Sequence, residues 1–528
     1  MEKQRKRHHE EVEDDDLHNG PGSGRSTPRS LAHPISPPLK KARPAQPSGQ
    51  VDNTTNSSPR VLSSPFQLTW IRDAPADTNI DALTLKDLLG DPLIAECWDF
   101  NYLHDVDFLL SAFDDDTRHL VKVNVVHGFW KQEDESRRFL QEQASRHKNI
   151  TLRTAYMPEM FGTHHSKMLV LLRHDDTAQV IIHTANMISR DWTNMTQAIW
   201  RSPLLPLLPP SRSGSQDSSL RGTGERFKED LLNYLRAYDT RRVTCRPLIE
   251  ALTKYDFSAI RATLIASVPG RYKISENRGI RWGWAALRET LRSVPVQDGS
   301  SEVVVQISSI ATLGANDTWL QKTMFDSLSQ SKSPVTQRPT FKVVFPTPDE
   351  IRRSLDGYDS GGSIHTKIQS AQQVKQLQYL RPMFCHWAND AQNGRDIGDA
   401  EIKDGGRKRA APHIKTYIRY GAESIDWALV TSANLSKQAW GEALNSSGEM
   451  RIASWEIGVM VWPSLIAENA KMVATFRKDT PDTNGSEDGP IVGVRIPYNL
   501  PLQHYGKTEV PWVATANYSE PDWKGQIW

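Results

Sequence analysis

Two short sets of residues with the types needed for phosphoryl chemistry stand at matched spacing along the chain. His165-Ser166-Lys167 is followed by Ala185-Asn186, and His413-Ile414-Lys415 by Ala433-Asn434. Each asparagine falls 21 positions after its histidine, and a tryptophan follows six further on, Trp192 and Trp440. Residues i and i+2 of a strand point to one side, so a strand reading puts His165 with Lys167, and His413 with Lys415, on the same anion. The asparagines close the apolar stretches 182–186 and 430–434, where an adjacent strand would add an amide donor. Two such half-sites closing on each other supply two ammonium groups and two amides for the non-bridging oxygens of one phosphodiester. They also place two imidazoles in line with phosphorus, which suits the charge of a pentacoordinate transition state. Imidazole titrates near neutrality, so modest differences in surroundings let one histidine attack while the other donates a proton.

A lone His-x-Lys carries little information, because 16 histidines produce roughly one such match by chance. The chain contains a third, His365-Thr366-Lys367, but His386 stands 21 positions after His365 and no Ala-Asn pair follows in register. Recurrence of the whole pattern is what separates the two sets from histidines with structural roles. A lysine at both positions argues against a metal centre, since a protonated ammonium is no ligand and no carboxylate- or cysteine-rich neighbourhood accompanies it. No cofactor and no metal is expected.

These groups need a scaffold, and 528 residues, 38% of them hydrophobic, suffice for two to three domains. Net charge is only +1, so a nucleic acid would have to be attracted by local placement of charge. Cys97, Cys245 and Cys385 are widely separated, which fits a reducing compartment and gives neither a disulfide framework nor a zinc knuckle. No apolar stretch reaches the length of a membrane span and no leader-like segment opens the chain, so a soluble intracellular protein is expected.

Residues 1–61 are rich in Pro, Ser, Asn and charge, too poor in apolar surface to offset ordering entropy, and are expected to form a disordered tail. Within it, Lys3-Gln4-Arg5-Lys6-Arg7 is basic, and Pro38-Leu39-Lys40-Lys41-Ala42-Arg43-Pro44 reads as a nuclear-import patch, although a merely solvated tail has the same composition. Thr27, Ser36, Ser58 and Ser64 each precede a proline and read as phosphorylation sites. Beyond it, apolar β-branched runs at 120–126, 168–172 and 180–182 predict buried strands, and 226–238 has helical periodicity. A similar cycle restarts at 262–268, 303–307, 341–345, 428–431 and 457–462. The fold expected is α/β, in two similar sandwich domains, 62–260 and 261–528, with one motif in each and the active site between them. Segments 202–223, 330–338 and 389–411 are expected to be surface loops.

At this level of detail the chain resembles the tyrosyl-DNA phosphodiesterases of the phospholipase D superfamily. The resemblance rests on 161–168 (Phe-Gly-Thr-His-His-Ser-Lys-Met), 412–417 (Pro-His-Ile-Lys-Thr-Tyr), 431–437 (Thr-Ser-Ala-Asn-Leu-Ser-Lys) and Ala439-Trp440-Gly441. Asn101-Tyr102, Pro269-Gly270-Arg271, Gln306-Ile307-Ser308-Ser309 and Pro511-Trp512 extend it from about residue 66 to the C-terminus. Phospholipases of the superfamily carry an aspartate five residues after the motif lysine; Leu172 and Tyr420 stand there instead.

The resemblance implies pseudo-twofold symmetry and two-step covalent catalysis. His165 attacks phosphorus at a DNA 3′ end, His413 protonates the departing tyrosine phenolate and then activates water, and a 3′-phosphate is released. Lys167, Lys415, Asn186 and Asn434 would bind the phosphate, and Gln197 and Glu456 would each hold the far nitrogen of a catalytic histidine. The implied substrate is DNA, single-stranded or nicked, joined to a topoisomerase I remnant; the implied setting is DNA repair in the nucleus, by a monomer whose tail docks repair proteins. Phe161 is expected to stack on a base, and Ser309, Thr312 and Ser436 to contact further phosphates. Tyr102, His365 and Trp512 are expected to wall the peptide side, although Ala514 stands where relatives carry an aromatic. Lys403, Arg407, Lys408 and Arg409 are expected to add salt-sensitive DNA affinity. Two rival readings are a superfamily phosphodiesterase acting on lipid or free nucleic acid, and a non-catalytic scaffold for DNA ends. The absent aspartates oppose the first, and retention of both His/Lys/Asn sets opposes the second.

Overall fold

The runs of Val, Ile and Leu that are apolar on every position, such as Val303-Val304-Val305, form strands buried on both faces. Such strands belong in the interior of mixed or parallel sheets covered by helices. A computed structural model describes residues 61–209, 220–274, 281–390, 401–482 and 489–528. Residues 1–60 of the expected disordered tail, with its basic patches and the sites at Thr27, Ser36 and Ser58, lie outside the described residues, and its last residue, Val61, is in a strand.

A short strand β1 (Val61–Leu62) precedes the first sheet. That sheet contains β2 (Phe66–Leu68), β3 (Ile94–Phe100), β4 (Lys122–His127), β5 (Ile150–Thr154), β6 (Met168–Arg173), β7 (Thr177–His183), β8 (Ala198–Arg201) and β9 (Leu205–Pro206). Its order is β2-β8-β7-β6-β3-β4-β5, with β9 on β7. The second sheet uses β10 (Thr263–Ser267), β12 (Glu302–Gln306), β13 (Thr340–Val344), β14 (Phe384–Cys385), β15 (Thr416–Tyr420), β16 (Ile425–Thr431), β18 (Glu456–Val461), β19 (Lys471–Thr475) and β20 (Ile491–Arg495). β11 (Gly270–Lys273) and β17 (Glu449–Ile452) make a separate antiparallel ribbon.

The two sheets repeat one plan. β3 runs antiparallel to β6 and parallel to β4, which is parallel to β5; β12 runs antiparallel to β15 and parallel to β13, which is parallel to β14. β7 continues the first series through β6 to β8, as β16 continues the second through β15 to β18. Both motifs therefore enter equivalent strands, β6 and β15. Strands at 94–100, 150–154, 198–201 and 416–420, not predicted from sequence, complete this plan.

One apolar cluster takes side chains from both sheets, including Trp98, Met168, Val304 and Ile457, and a smaller one covers the other face of the first sheet. The helix Gly224–Tyr238, two residues longer at its start than its periodicity predicts, buries Phe227, Leu231 and Leu235 in the shared cluster. Its Tyr238 stacks on Trp455 of the second half at 3.8 Å between ring centroids.

Three expectations are corrected here. Ser64 is buried, and its hydroxyl donates to the Phe66 carbonyl at 2.7 Å and accepts from Arg495 N–H at 3.0 Å, so it is no exposed modification site. Of the segment 389–411, residues 391–400 lie outside the described residues, and the rest is not simply a surface loop, because Gly405, Arg407, Ala410 and Ala411 are buried. Nor does it present four free cations: Arg407 is 1% exposed and donates to Asn79 Oδ1, while Arg409 pairs with Asp390 at 2.6 Å. Residues 332–334 and 336–338 are exposed, as expected of a loop.

Candidate active site

Neither His-x-Lys lies within a strand, contrary to the strand reading. Both occupy extended backbone immediately before one, His165 to Lys167 ahead of β6 and His413 to Lys415 ahead of β15. Each stretch adds itself to the other half of the molecule. His164 bridges Trp455 and Pro412 bridges Thr196, both in parallel sense. His165 N–H donates to the Trp455 carbonyl at 3.0 Å, and Ile414 N–H to the Thr196 carbonyl at 2.8 Å. Gly162 permits the first approach, since a β-carbon there would lie 1.8 Å from the Ala453 carbonyl oxygen.

The residue after each bridge partner is the group that holds the histidine. Glu456 follows Trp455, and its Oε2 lies 2.9 Å from His165 Nδ1; Gln197 follows Thr196, and its amide lies 3.1 to 3.2 Å from His413 Nδ1. The bracing is crossed: each half's polar group holds the other half's imidazole by Nδ1, leaving Nε2 free. A hydroxyl two residues before each motif asparagine supports the brace. Ser432 donates to Glu456 Oε2 at 2.5 Å, and Thr184 to Gln197 Oε1 at 2.8 Å.

Both histidines line an open cleft of about 240 Å³ together with Asn186, Asn434, Tyr102, Phe161, Ser309, His365, Ser436 and Glu456. Lys167 and Lys415 lie fully buried behind it, each ammonium donating to the carbonyl of its own motif histidine. The asparagines are three residues past β7 and β16. Asn434 Oδ1 accepts from the N–H groups of Ser308 and Ser309 at 3.1 and 2.9 Å, which frees its amide nitrogen. Asn186 donates instead to Asp191 Oδ2 at 3.0 Å. The two tryptophans of the repeat differ as well: Trp192 donates to the Asn186 carbonyl, Trp440 to the Tyr417 hydroxyl.

Burial dominates the electrostatics. It lowers the pKa of His165, against the attraction of Glu456, and lowers His413 well below the ordinary imidazole value, helped by Lys415 and Lys167. Burial brings Lys167 down to about 8, and burial with repulsion from Lys167 carries Lys415 well below its usual range. Glu456 stays below the ordinary carboxylate value: burial would raise it, but His165, Ser432 and Lys167 outweigh that. Two desolvated lysines beside the cleft gain from a bound anion, which restores their charge.

Of the outer residues, Phe161 stands at the rim, 72% exposed. Tyr102 packs 5.8 Å from the His165 ring. Ser436 caps the short helix Lys437–Trp440 while lining the cleft. Thr312 is exposed one residue beyond the lining, its hydroxyl accepting from Gln373. Trp512 is not a wall of the cleft: it is fully buried, stacks on Tyr518 at 4.8 Å, and donates to the carbonyls of Gly361 and Ile364. It supports the cleft-lining Gly362, Ser363 and His365 from behind. Asp191, Arg190, Ser308, Thr163, Ser432 and Ser454 were not predicted. Ser432 and Thr184 share a position in the repeat, a signal that could have found them; Asp191 has Ala439 as its counterpart, so the repeat hides it.

Among the described residues, no helix is long and apolar enough to cross a membrane, and no cluster of three or more His, Cys, Asp or Glu has metal-ligand geometry. Cys97, Cys245 and Cys385 are buried and unbridged.

Two copies of one α/β sheet plan, each bringing a histidine, a lysine and an asparagine to a single cleft, define a two-motif fold of the phospholipase D type. A crystal structure of the yeast tyrosyl-DNA phosphodiesterase shares this fold, with a TM-score of 0.59 and 20% identity over 85% of this chain and 98% of that one. The family model for tyrosyl-DNA phosphodiesterase matches residues 65–506. A probable tyrosyl-DNA phosphodiesterase of Schizosaccharomyces pombe is 31% identical over 90% of this chain and 97% of its own length. Tyrosyl-DNA phosphodiesterase 1 of Drosophila melanogaster is 32% identical over 84% of this chain and 73% of its own. The chain belongs to the tyrosyl-DNA phosphodiesterase family and is a phosphodiester hydrolase.

Proposed function

We propose that the chain removes tyrosyl peptide remnants of topoisomerase I, and other blocking adducts, from DNA 3′ ends through a phosphohistidine intermediate. The crossed bracing of the two imidazoles carries this reading, because it holds each ring by Nδ1 at the lining of one cleft and leaves both Nε2 atoms for the reaction. His165, whose Nδ1 proton is held by the Glu456 carboxylate, is the nucleophile: its Nε2 bonds to phosphorus as the bond to the tyrosine oxygen breaks. His413, whose Nδ1 meets the Gln197 amide and lies 3.3 Å from Asp191, gives its Nε2 proton to that oxygen, then takes a proton from the water that cleaves the phosphorus–nitrogen bond. The products are a free tyrosyl peptide and a 3′-phosphate end. Lys167, Lys415 and the two asparagines compensate the negative charge on the non-bridging oxygens, so no divalent ion is required.

In the same reading, segments 62–260 and 261–528 are two domains sharing one site, which makes a monomer sufficient. Phe161, Ser309, Thr312 and Ser436 contact the DNA, and Tyr102 and His365 the peptide. The enzyme works in the nucleus, with the N-terminal segment as the docking site for repair proteins.

Incubation of a 3′-phosphotyrosyl oligonucleotide with the protein in excess chelator tests the reading. The expected product is a 3′-phosphate oligonucleotide; His165→Ala abolishes a trapped covalent adduct and His413→Asn makes it accumulate. An adduct on any other residue, or activity restored only by a divalent ion, refutes it.

A further inference from the structure

Asp191 lies in the short helix Ser189–Thr193 and is completely buried. Its Oδ2 is 3.3 Å from His413 Nδ1 and accepts from Asn186 twice, from the backbone N–H at 2.7 Å and the side-chain amide at 3.0 Å. Its Oδ1 is buried without a hydrogen-bond partner. One carboxylate oxygen thus joins an amide that faces the substrate to the imidazole read as the acid.

Gln197 does not satisfy His413 alone. Its Nε2 donates to the Asp191 backbone carbonyl at 3.2 Å, and its Oε1 already accepts from the Thr184 hydroxyl. Thr184 in turn accepts from Ala198 N–H at 2.9 Å. Both ends of the Gln197 amide meet His413 Nδ1, Nε2 at 3.1 Å and Oε1 at 3.2 Å, so a proton on Nδ1 has two acceptors in reach, Gln197 Oε1 and the Asp191 carboxylate oxygen at 3.3 Å.

The groups around His413 mostly disfavour its charged form. Lys415 and Lys167 lie beneath the cleft, His165 lines it opposite, His365 faces it from the wall, and Arg190 is the neighbour of Asp191. Glu456 is committed to His165 and Ser432. Asp191, whose pKa burial raises while Asn186, Lys415 and Lys167 draw it down, is the remaining carboxylate within reach of the His413 Nδ1 proton.

We propose that Asp191 is a positioning residue for the general acid: its carboxylate keeps the proton of His413 on Nδ1, favours the imidazolium that must protonate the leaving group, and locks Asn186 to that imidazole. This rests on the assignment of His413 as acid made above. His413 donates from Nε2 while its Nδ1–H stays shared between Asp191 and Gln197. After transfer the neutral ring has its lone pair on Nε2, ready to take the proton of water.

The test compares wild type with Asp191→Asn on oligonucleotides bearing a 3′-phosphotyrosyl or a 3′-(p-nitrophenyl) phosphate, the second having a leaving group that needs no proton. The expected loss in single-turnover rate is about 100-fold on the tyrosyl substrate and under about threefold on the nitrophenyl one, the scale of general acid catalysis. The alkaline limb of the tyrosyl rate profile moves to lower pH. Equal losses on both substrates, or none, overturn the proposal, because a merely structural role acting through Asn186 slows both alike. If the variant does not fold, histidine-selective ¹⁵N spectra of the wild type decide, with His413→Asn assigning the signal. A proton on Nδ1, whether the ring is neutral or doubly protonated, supports the proposal, and a neutral ring with its proton on Nε2 alone overturns it. A wild type that cleaves neither substrate refutes the parent reading instead.

Discussion

Replacing Glu456 by glutamine keeps the shape of the brace and removes its charge. The carboxylate is 4% exposed, 2.9 Å from His165 Nδ1 and bonded to Ser432. A hydrogen bond to a charged partner contributes about 1.5 to 3 kcal/mol, against about 1 for a neutral one. As His165 bonds to phosphorus its ring becomes cationic, so that difference falls on the transition state. A net loss of about 1.3 kcal/mol, the middle of that difference, corresponds to roughly a tenfold slower adduct formation. The pH dependence moves the opposite way from a simple loss of activity. Glu456 raises the pKa of His165 against the lowering by burial, so its removal lowers that pKa further, and the neutral nucleophile survives to lower pH. The acidic limb of the single-turnover profile therefore shifts downward while the plateau falls. Lys167, already near 8, also loses one of its raising charges, so oligonucleotide affinity at pH 8 drops. Rapid-quench measurement of the covalent adduct from pH 4 to 9 gives all of this. A plateau within threefold of wild type, or an acidic limb displaced upward, refutes the assignment of Glu456 as the electrostatic brace of the nucleophile.

Trp512→Ala removes a fully buried indole that packs with Tyr358, Tyr518 and Trp528, and is expected to cost about 3 to 5 kcal/mol in denaturant unfolding; an unchanged midpoint would return Trp512 to the cleft. Phe161→Ala is expected to leave the midpoint unchanged, because the ring is 72% exposed, and to weaken single-stranded DNA binding by about 1 to 3 kcal/mol in a titration. His386 bonds Glu509 at 2.9 Å and lies 3.4 Å from Glu350; burial would lower its pKa, but the two carboxylates outweigh that and raise it. A raised folded-state pKa stabilises fully below the unfolded value near 6.5 and is lost as pH rises through the folded value. His386→Gln should therefore be more destabilising at pH 6 than at pH 9, and an equal effect at both would refute the ion-pair account.

What the amino-acid sequence determined by itself is the chemistry and its duplication. His, Lys and Asn at equal intervals, and apolar runs at 168–172, 180–182, 303–307 and 428–431, are local regularities, and local periodicity survives in sequence because it reports neighbours along one strand. The tertiary structure alone decided which brace serves which imidazole. Glu456 and His165 are 291 residues apart, Gln197 and His413 are 216 apart, and no spacing rule spans such distances. It also decided that Asp191, whose counterpart in the repeat is Ala439, sits behind His413, and that Trp512 and Arg407 are interior. An aromatic or a cation reads alike in sequence whether it faces a ligand or the core; only the elements packed around it, and the water they exclude, set its role.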